Sequence, residues 1–158
     1  MKLMRSLLVL TSLLATGVTV KAQMIEDPTT WKYEVKKKSA YEYQLIFHLD
    51  IKAPWHIWSM KPGGDGFQVV PSFTFTDNKK VMLKGKPVEK GKPTTTKMEG
   101  VDGMVTYFSG KVDYIQDVVV KDNKASVQIK GSHEYQVCND KMCLPPKDKD
   151  FVFEIPKG

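Results

Sequence analysis

In the segment Tyr41 to Lys52, YEYQLIFHLDIK, the residues Tyr41, Tyr43, Leu45, Phe47, Leu49 and Ile51 are apolar, and Glu42, Gln44, His48, Asp50 and Lys52 between them are polar. A period of two places the apolar set on one face of an extended chain, so this segment predicts a half-buried strand, interrupted only by Ile46. Weaker alternation recurs at Trp31 to Val35, Ser72 to Phe75, Val112 to Val120, Ala125 to Ile129, His133 to Cys138 and Phe151 to Ile155, with Gly, Pro, Asn and Asp between the runs. No window sustains the three- and four-residue apolar spacing of an amphipathic helix.

Many short strands separated by turn signals predict an all-β protein, an antiparallel β-sandwich of immunoglobulin-like type. The longest stretch without alternation is Gly85 to Gly103, GKPVEKGKPTTTKMEGVDG, which reads as a long surface excursion within one sandwich. It leads into MVTYFSG, Met104 to Gly110, where Tyr107 and Phe108 stand beside a Ser-Gly turn signal. If that is a turn, at least one of the two rings points away from the core.

The N-terminus sets the compartment. Two positive charges in Met1–Arg5 precede an apolar run of about 15 residues, shorter than the roughly 20 of a spanning helix. Val20-Lys21-Ala22 before Gln23 fits the small-residue rule for signal-peptide cleavage. Residues 1–22 are therefore expected to be a cleaved signal peptide, and residues 23–158 one exported domain in a periplasm or outside the cell. No cysteine lies near the cleavage site, which excludes a lipoprotein anchor, and no later segment is apolar enough to span a membrane. The whole chain has 24 basic and 18 acidic residues; Lys2, Arg5 and Lys21 leave with the signal and no acid does, so 21 basic residues face 18 acids. The basic residues are scattered among acids, apart from Lys36-Lys37-Lys38, and an exported chain of this kind is not expected to bind nucleic acid.

Export changes the meaning of the only two cysteines, Cys138 and Cys143 in HEYQVCNDKMCLPP. Zinc needs three or four ligands; His133 and Asp140 are near, but no second ligand cluster exists, so no metal site is expected. A structural staple is the ordinary reading of an even cysteine count in an exported chain. A ring of about six residues, however, contributes only roughly 2 kcal/mol by chain entropy, against nearly 5 for a loop of about 100. Asn139-Asp140-Lys141 is a polar turn, which would place the pair at the surface end of a hairpin whose second strand begins near Lys147. Leu144-Pro145-Pro146 stiffens the exit and removes two backbone donors. Surface access suits thiol exchange. The residues alone leave two readings open: a redox-active pair and a staple.

The run Tyr135-Gln136-Val137-Cys138 through Cys143-Leu144-Pro145-Pro146 resembles the N-terminal periplasmic domain of the transmembrane thiol:disulfide interchange protein DsbD, and the likeness extends from Trp31 to the C-terminus. The resemblance implies an immunoglobulin-like sandwich with no cofactor beyond its own Cys138–Cys143 disulfide, carrying electrons from a membrane reductase to thioredoxin-like periplasmic proteins. It implies that Cys143 attacks the partner, that Cys138 resolves the mixed disulfide, and that Phe108 or Tyr107 caps the sulfurs until a partner docks. His56 and Trp58, in the aromatic segment Trp55-His56-Ile57-Trp58, are candidate neighbours of the pair, as are Tyr135 and Asp140. The inter-cysteine loop is one residue shorter than in the best-known member. The chain ends at Gly158 without a membrane domain, so a separate membrane thiol reductase is expected as electron source. Asp102 and Asp113 are the nearest candidates for carboxylates beside the thiols. The competing function is an immunoglobulin-like binding module with an inert disulfide, gripping protein or glycan through exposed aromatics.

Overall fold

A computed structural model describes residues 27–158; the expected signal peptide, residues 1–22, lies outside them. All regular structure in the described residues is strand, paired antiparallel throughout. One sheet runs in the order β1 (Thr29–Lys37), β2 (Glu42–Ile51), β6 (Met104–Val120), β3 (His56–Gly63), β8 (Val137–Cys138), with β5 (Val81–Lys97) also on β6; the second runs β4 (Ser72–Phe75), β7 (Val127–Tyr135), β9 (Lys147–Ile155). The expected immunoglobulin-like sandwich is the fold. Its core lies between the sheets, where Leu45, Phe47 and Leu49 of β2 and Val112, Tyr114 and Val118 of β6 meet Val127 and Ile129 of β7 and Phe151, Phe153 and Ile155 of β9. Phe47 sits at its centre, with ring centroids 4.7 Å from Phe73 and 4.9 Å from both Phe151 and Phe153.

Most of the stretch read as a surface excursion, Gly85 to Lys97, is strand, and only its end is a turn. β5 extends through Lys97 and pairs with β6 from Val81↔Val120 to Lys97↔Met104. Alternation reports a strand with one face buried, and β5 has almost no buried face, so its lysines, prolines and threonines carry no period of two. The lysines and prolines along it also suit a strand with a solvated edge.

The turn read at Ser109-Gly110 is likewise absent: β6 runs straight through it. Gly110 has φ 73°, a left-handed conformation that glycine adopts without a steric penalty. It marks a change of partner, since β6 pairs with β3 up to Ser109 and with β2 from Lys111 onward.

The run His133 to Cys138, read as one strand, is two. Tyr135 ends β7 in the second sheet, and Val137–Cys138 form β8 at the edge of the first. The chain changes sheets at Gln136, and Lys147 then returns it to the second sheet opposite Tyr135. The cysteine hairpin is thus an insertion between two paired strands that reaches across to the neighbouring sheet.

The candidate redox site at the edge of the first sheet

β8 is short, yet its register fixes which way each residue of the hairpin faces. Val137 pairs with Ile57 and Cys138 with His56. On the returning limb, Leu144 N–H donates to the Val137 carbonyl at 2.9 Å and Cys143 bridges Cys138. Side chains alternate across a sheet, so Val137 and Leu144 turn inward to the main core, where both are buried. Cys138 and Cys143 turn to the outer face, and a disulfide joins them.

The turn between the cysteines is organised by Asn139. Its side-chain oxygen accepts from the N–H of Lys141 and of Met142, both at 2.9 Å, and its own N–H donates to the Met142 carbonyl at 2.8 Å. This side-chain mimicry of a backbone turn is what Asn provides at such positions. Gln136 Nε2 donates to the Leu144 carbonyl at 2.9 Å, which ties the two limbs again below the disulfide.

The two sulfur-bearing residues have unequal access. Cys138 is 2 % exposed, because β3 covers one side of it and the outgoing limb the other. Cys143 is exposed, as are Met142 before it and Pro145 and Pro146 after Leu144. Cys138 shares a small apolar cluster with Trp58 and Val105, and Val70, Met98, Val101 and Tyr107 pack against it. This cluster covers the outer face of the first sheet only at its cysteine end and is separate from the sandwich core.

His56, Trp58 and Tyr107 gather beside Cys138. The His56 ring centroid is 4.5 Å from that of Tyr107 and 5.1 Å from that of Trp58. Burial depresses the His56 pKa below the usual histidine value, with the Asp140 charge acting in the opposite sense, so the ring is neutral at pH 7. Its Nε2 is buried without a hydrogen-bond partner.

Two other candidates lie elsewhere. Phe108 points inward, 4 % exposed, in the main core, the neighbour of Tyr107 but on the opposite face of β6. Tyr135 also belongs to the main core, with its ring 5.2 Å from Trp31. Its hydroxyl donates to Asp27 Oδ2 at 2.7 Å, and burial, reinforced by Asp27, pushes its pKa up to about 12. Lys147 Nζ reaches the same carboxylate at 3.1 Å. Burial acts to raise the Asp27 pKa, but hydrogen bonds from Tyr135, Thr29 and Lys147 outweigh it and hold the carboxyl below its usual value. Asp27 therefore clasps both strands that feed the cysteine hairpin.

Of the carboxylates considered from sequence, Asp113 is engaged on the outer face of β6 by His48 Nδ1 at 2.8 Å, and Asp102 is exposed at the β5–β6 turn. The residues that sequence reasoning missed are Val70, Met98, Val101 and Val105. Two of them lie in the stretch read as a surface excursion, and none carries a polar signal of its own. Among the described residues no group of three or more His, Cys, Asp or Glu side chains could hold a metal ion, and no helix is long and apolar enough to cross a membrane.

Comparison with known proteins bears on this arrangement. No curated protein is significantly similar in sequence. Among solved structures, the N-terminal periplasmic domain of ScsB from Proteus mirabilis superposes with a TM-score of 0.57 at 13 % identity, over 82 % of this chain and 47 % of that one, so the chain spans about half its length. The GAE domain of GGA2p from Saccharomyces cerevisiae gives a TM-score of 0.45 at 9 % identity, over 85 % of this chain and 96 % of that one, a likeness too loose to bear on function. The family model described as thiol:disulfide interchange protein DsbD, N-terminal, matches residues 21–155, which span all nine strands and both cysteines. The chain belongs to the family of DsbD N-terminal domains.

Proposed function

We propose that residues 23–158 form an exported thiol:disulfide exchange domain that carries reducing equivalents from a membrane thiol reductase to periplasmic thioredoxin-like proteins. The observation that carries this reading is the unequal access of the two cysteines on one face of a sheet edge. Thiol exchange proceeds through a mixed disulfide and needs one reachable sulfur and one held in reserve. In the reduced domain the Cys143 thiolate attacks a partner disulfide, forming Cys143–S–S–partner and releasing one partner thiolate. The Cys138 thiolate then attacks Cys143 Sγ, which restores the Cys138–Cys143 disulfide and frees the second partner thiolate. Two electrons pass to the partner, whose thiolates take protons from solvent. Reduction by the membrane enzyme is the same sequence reversed.

Tyr107 is the cap that this reading favours. It lies on the cysteine face, half-buried over the Cys138 cluster, while Phe108 lies in the core.

The test is non-reducing electrophoresis of single-cysteine variants mixed with an oxidised thioredoxin-like protein. Cys138→Ser leaves the exposed thiol without its resolving partner and is expected to accumulate a stable mixed disulfide; Cys143→Ser is expected to trap little. Equal trapping would remove the assignment of roles. No trapping by either variant would favour an inert-disulfide binding module. A companion measurement follows the fold on reduction: loss of the six-residue ring costs about 2 kcal/mol, less than a typical domain stability of about 5 to 15. The reduced protein is therefore expected to keep its strand circular dichroism at 25 °C.

A further inference from the structure

Phe67 is 89 % exposed, whereas the next most exposed large apolar side chain among the described residues, Val88, is 58 % exposed. It stands in the connection from β3 to β4, within GGDGFQVV, which runs from Gly63, the last residue of β3, to Val70. That loop is not a loose tether. Asp65 Oδ1 accepts from Phe67 N–H at 3.3 Å and from Gln68 Nε2 at 3.4 Å. Gly64, at φ 68°, is pressed so closely on the outer cluster that an added Cβ would lie 2.8 Å from Val105 Cγ1 and 3.0 Å from Val101 Cγ1. Val70 packs on the same cluster, which also holds Cys138. Phe67 is three residues from each of these two anchor points, so its backbone lies within about 10 Å of both. The fold thus holds an exposed phenyl ring on a loop anchored at both ends to the cluster that contains Cys138. Met142, next to Cys143, is 45 % exposed, and Met104, whose carbonyl backs onto Gly63, is 53 % exposed.

We propose that the Gly63–Val70 loop is a docking element, with Phe67 as its anchor and Met142 beside the reacting sulfur, that seats the apolar surface around the cysteine pair of a thioredoxin-like partner. The proposal rests on the exchange reading above. A mixed disulfide requires the partner's sulfur to come within about 2 Å of Cys143 Sγ, so the partner's surface must cover Met142 and the rim around it. Phe and Met are enriched at the buried centres of protein interfaces. Seating by apolar contact gives association that depends little on salt, unlike a contact built from exposed charges.

The experiment compares two oxidants of the reduced domain, an oxidised thioredoxin-like protein and oxidised glutathione, which is too small to span the rim. Phe67→Ser is expected to lower the second-order rate constant with the protein about tenfold, with the glutathione rate and the thermal midpoint unchanged. Adding Met142→Ser is expected to lower the protein rate further. A Phe67→Ser rate with the protein equal to wild type would overturn the docking element alone. An equal fall with both oxidants would also overturn it, since the loop would then act on the disulfide itself. Failure of the wild-type domain to exchange with either oxidant would overturn the exchange reading, and the docking element with it.

Discussion

The first sheet is buried on both faces where β3, β6 and β8 meet, and the two burials differ in kind. Inward, Ile57, Phe108, Val137 and Leu144 join a core supplied by strands of both sheets, with aromatic rings in contact throughout. Outward, Trp58, Val105 and Cys138 are covered by single side chains from a loop and a turn, Val70, Met98 and Val101, with Tyr107 at the margin. A core closed by a whole sheet opens only when the domain unfolds. A cluster closed by a loop can open locally, at a fraction of the global free energy. Placing the cysteines on the second kind of surface separates sulfur access from fold stability. Farther along β6 the same outer face is mixed: Asp113 and Asp117 are bound by His48 and Gln44, with the Ile46–Ile115 pair between them.

The comparison breaks most directly by truncating one ring on each side. Phe47→Ala, at a fully buried position, is expected to cost about 3–5 kcal/mol. Trp58→Ala is expected to cost clearly less in urea unfolding, because the loop over it can settle into the space. Equal losses would make the outer cluster an extension of the core.

Histidines on the two sides give pH dependences of opposite sign. His133 is 1 % exposed in the core, its Nε2 3.0 Å from Tyr33 Oη, and burial, with the Lys149 charge adding to it, depresses its pKa to about 4. The unfolded chain takes up a proton below about pH 6.5 and the folded one does not, so stability present above pH 6.5 is lost as pH falls toward 4, by about 3 kcal/mol. His48 lies between Asp113 and Glu34 on the outer face; burial works against its charged form, but the two carboxylates outweigh it and raise its pKa. Its contribution is complete below about pH 6.5 and is lost as pH rises through the folded pKa, and for so exposed a pair it stays below about 1 kcal/mol. Unfolding from pH 4.5 to 8 should therefore show a steep acid limb that His133→Phe flattens, and a shallow alkaline decline that His48→Gln removes.

The smallest effect on stability should accompany the clearest effect on chemistry. Tyr107→Ala is expected to speed reduction of the disulfide by glutathione several-fold, with little change in melting temperature. Phe108→Ala should do the reverse, lowering the melting temperature and leaving the rate. A rate that responds to Phe108 and not to Tyr107 would invert the proposed assignment of the cap.

The legibility of each strand in the sequence follows from the same contrast. β2 was readable because one face is buried and the other is wet, which writes a period of two into the sequence. β3 carries no such pattern because His56, Ile57, Trp58 and Ser59 are all buried, on alternating faces. β5 carries none because almost nothing in it is buried. The polar turn between the cysteines and the strand beginning near Lys147 are legible because Asn139, Asp140 and the prolines are local signals, whereas the run into Cys138, read as one strand, is two strands in two sheets.

What the sequence determined by itself is what local chemistry dictates: an all-β chain, a short polar turn between two cysteines, a stiff exit through Pro145 and Pro146, and a motif that names the family. Only the tertiary structure decided that the chain changes sheets at Gln136 and that Tyr107 and Phe108 part to opposite faces of one strand. Those outcomes depend on which strand lies beside which, and pairing between residues tens of positions apart leaves no periodic trace in either partner.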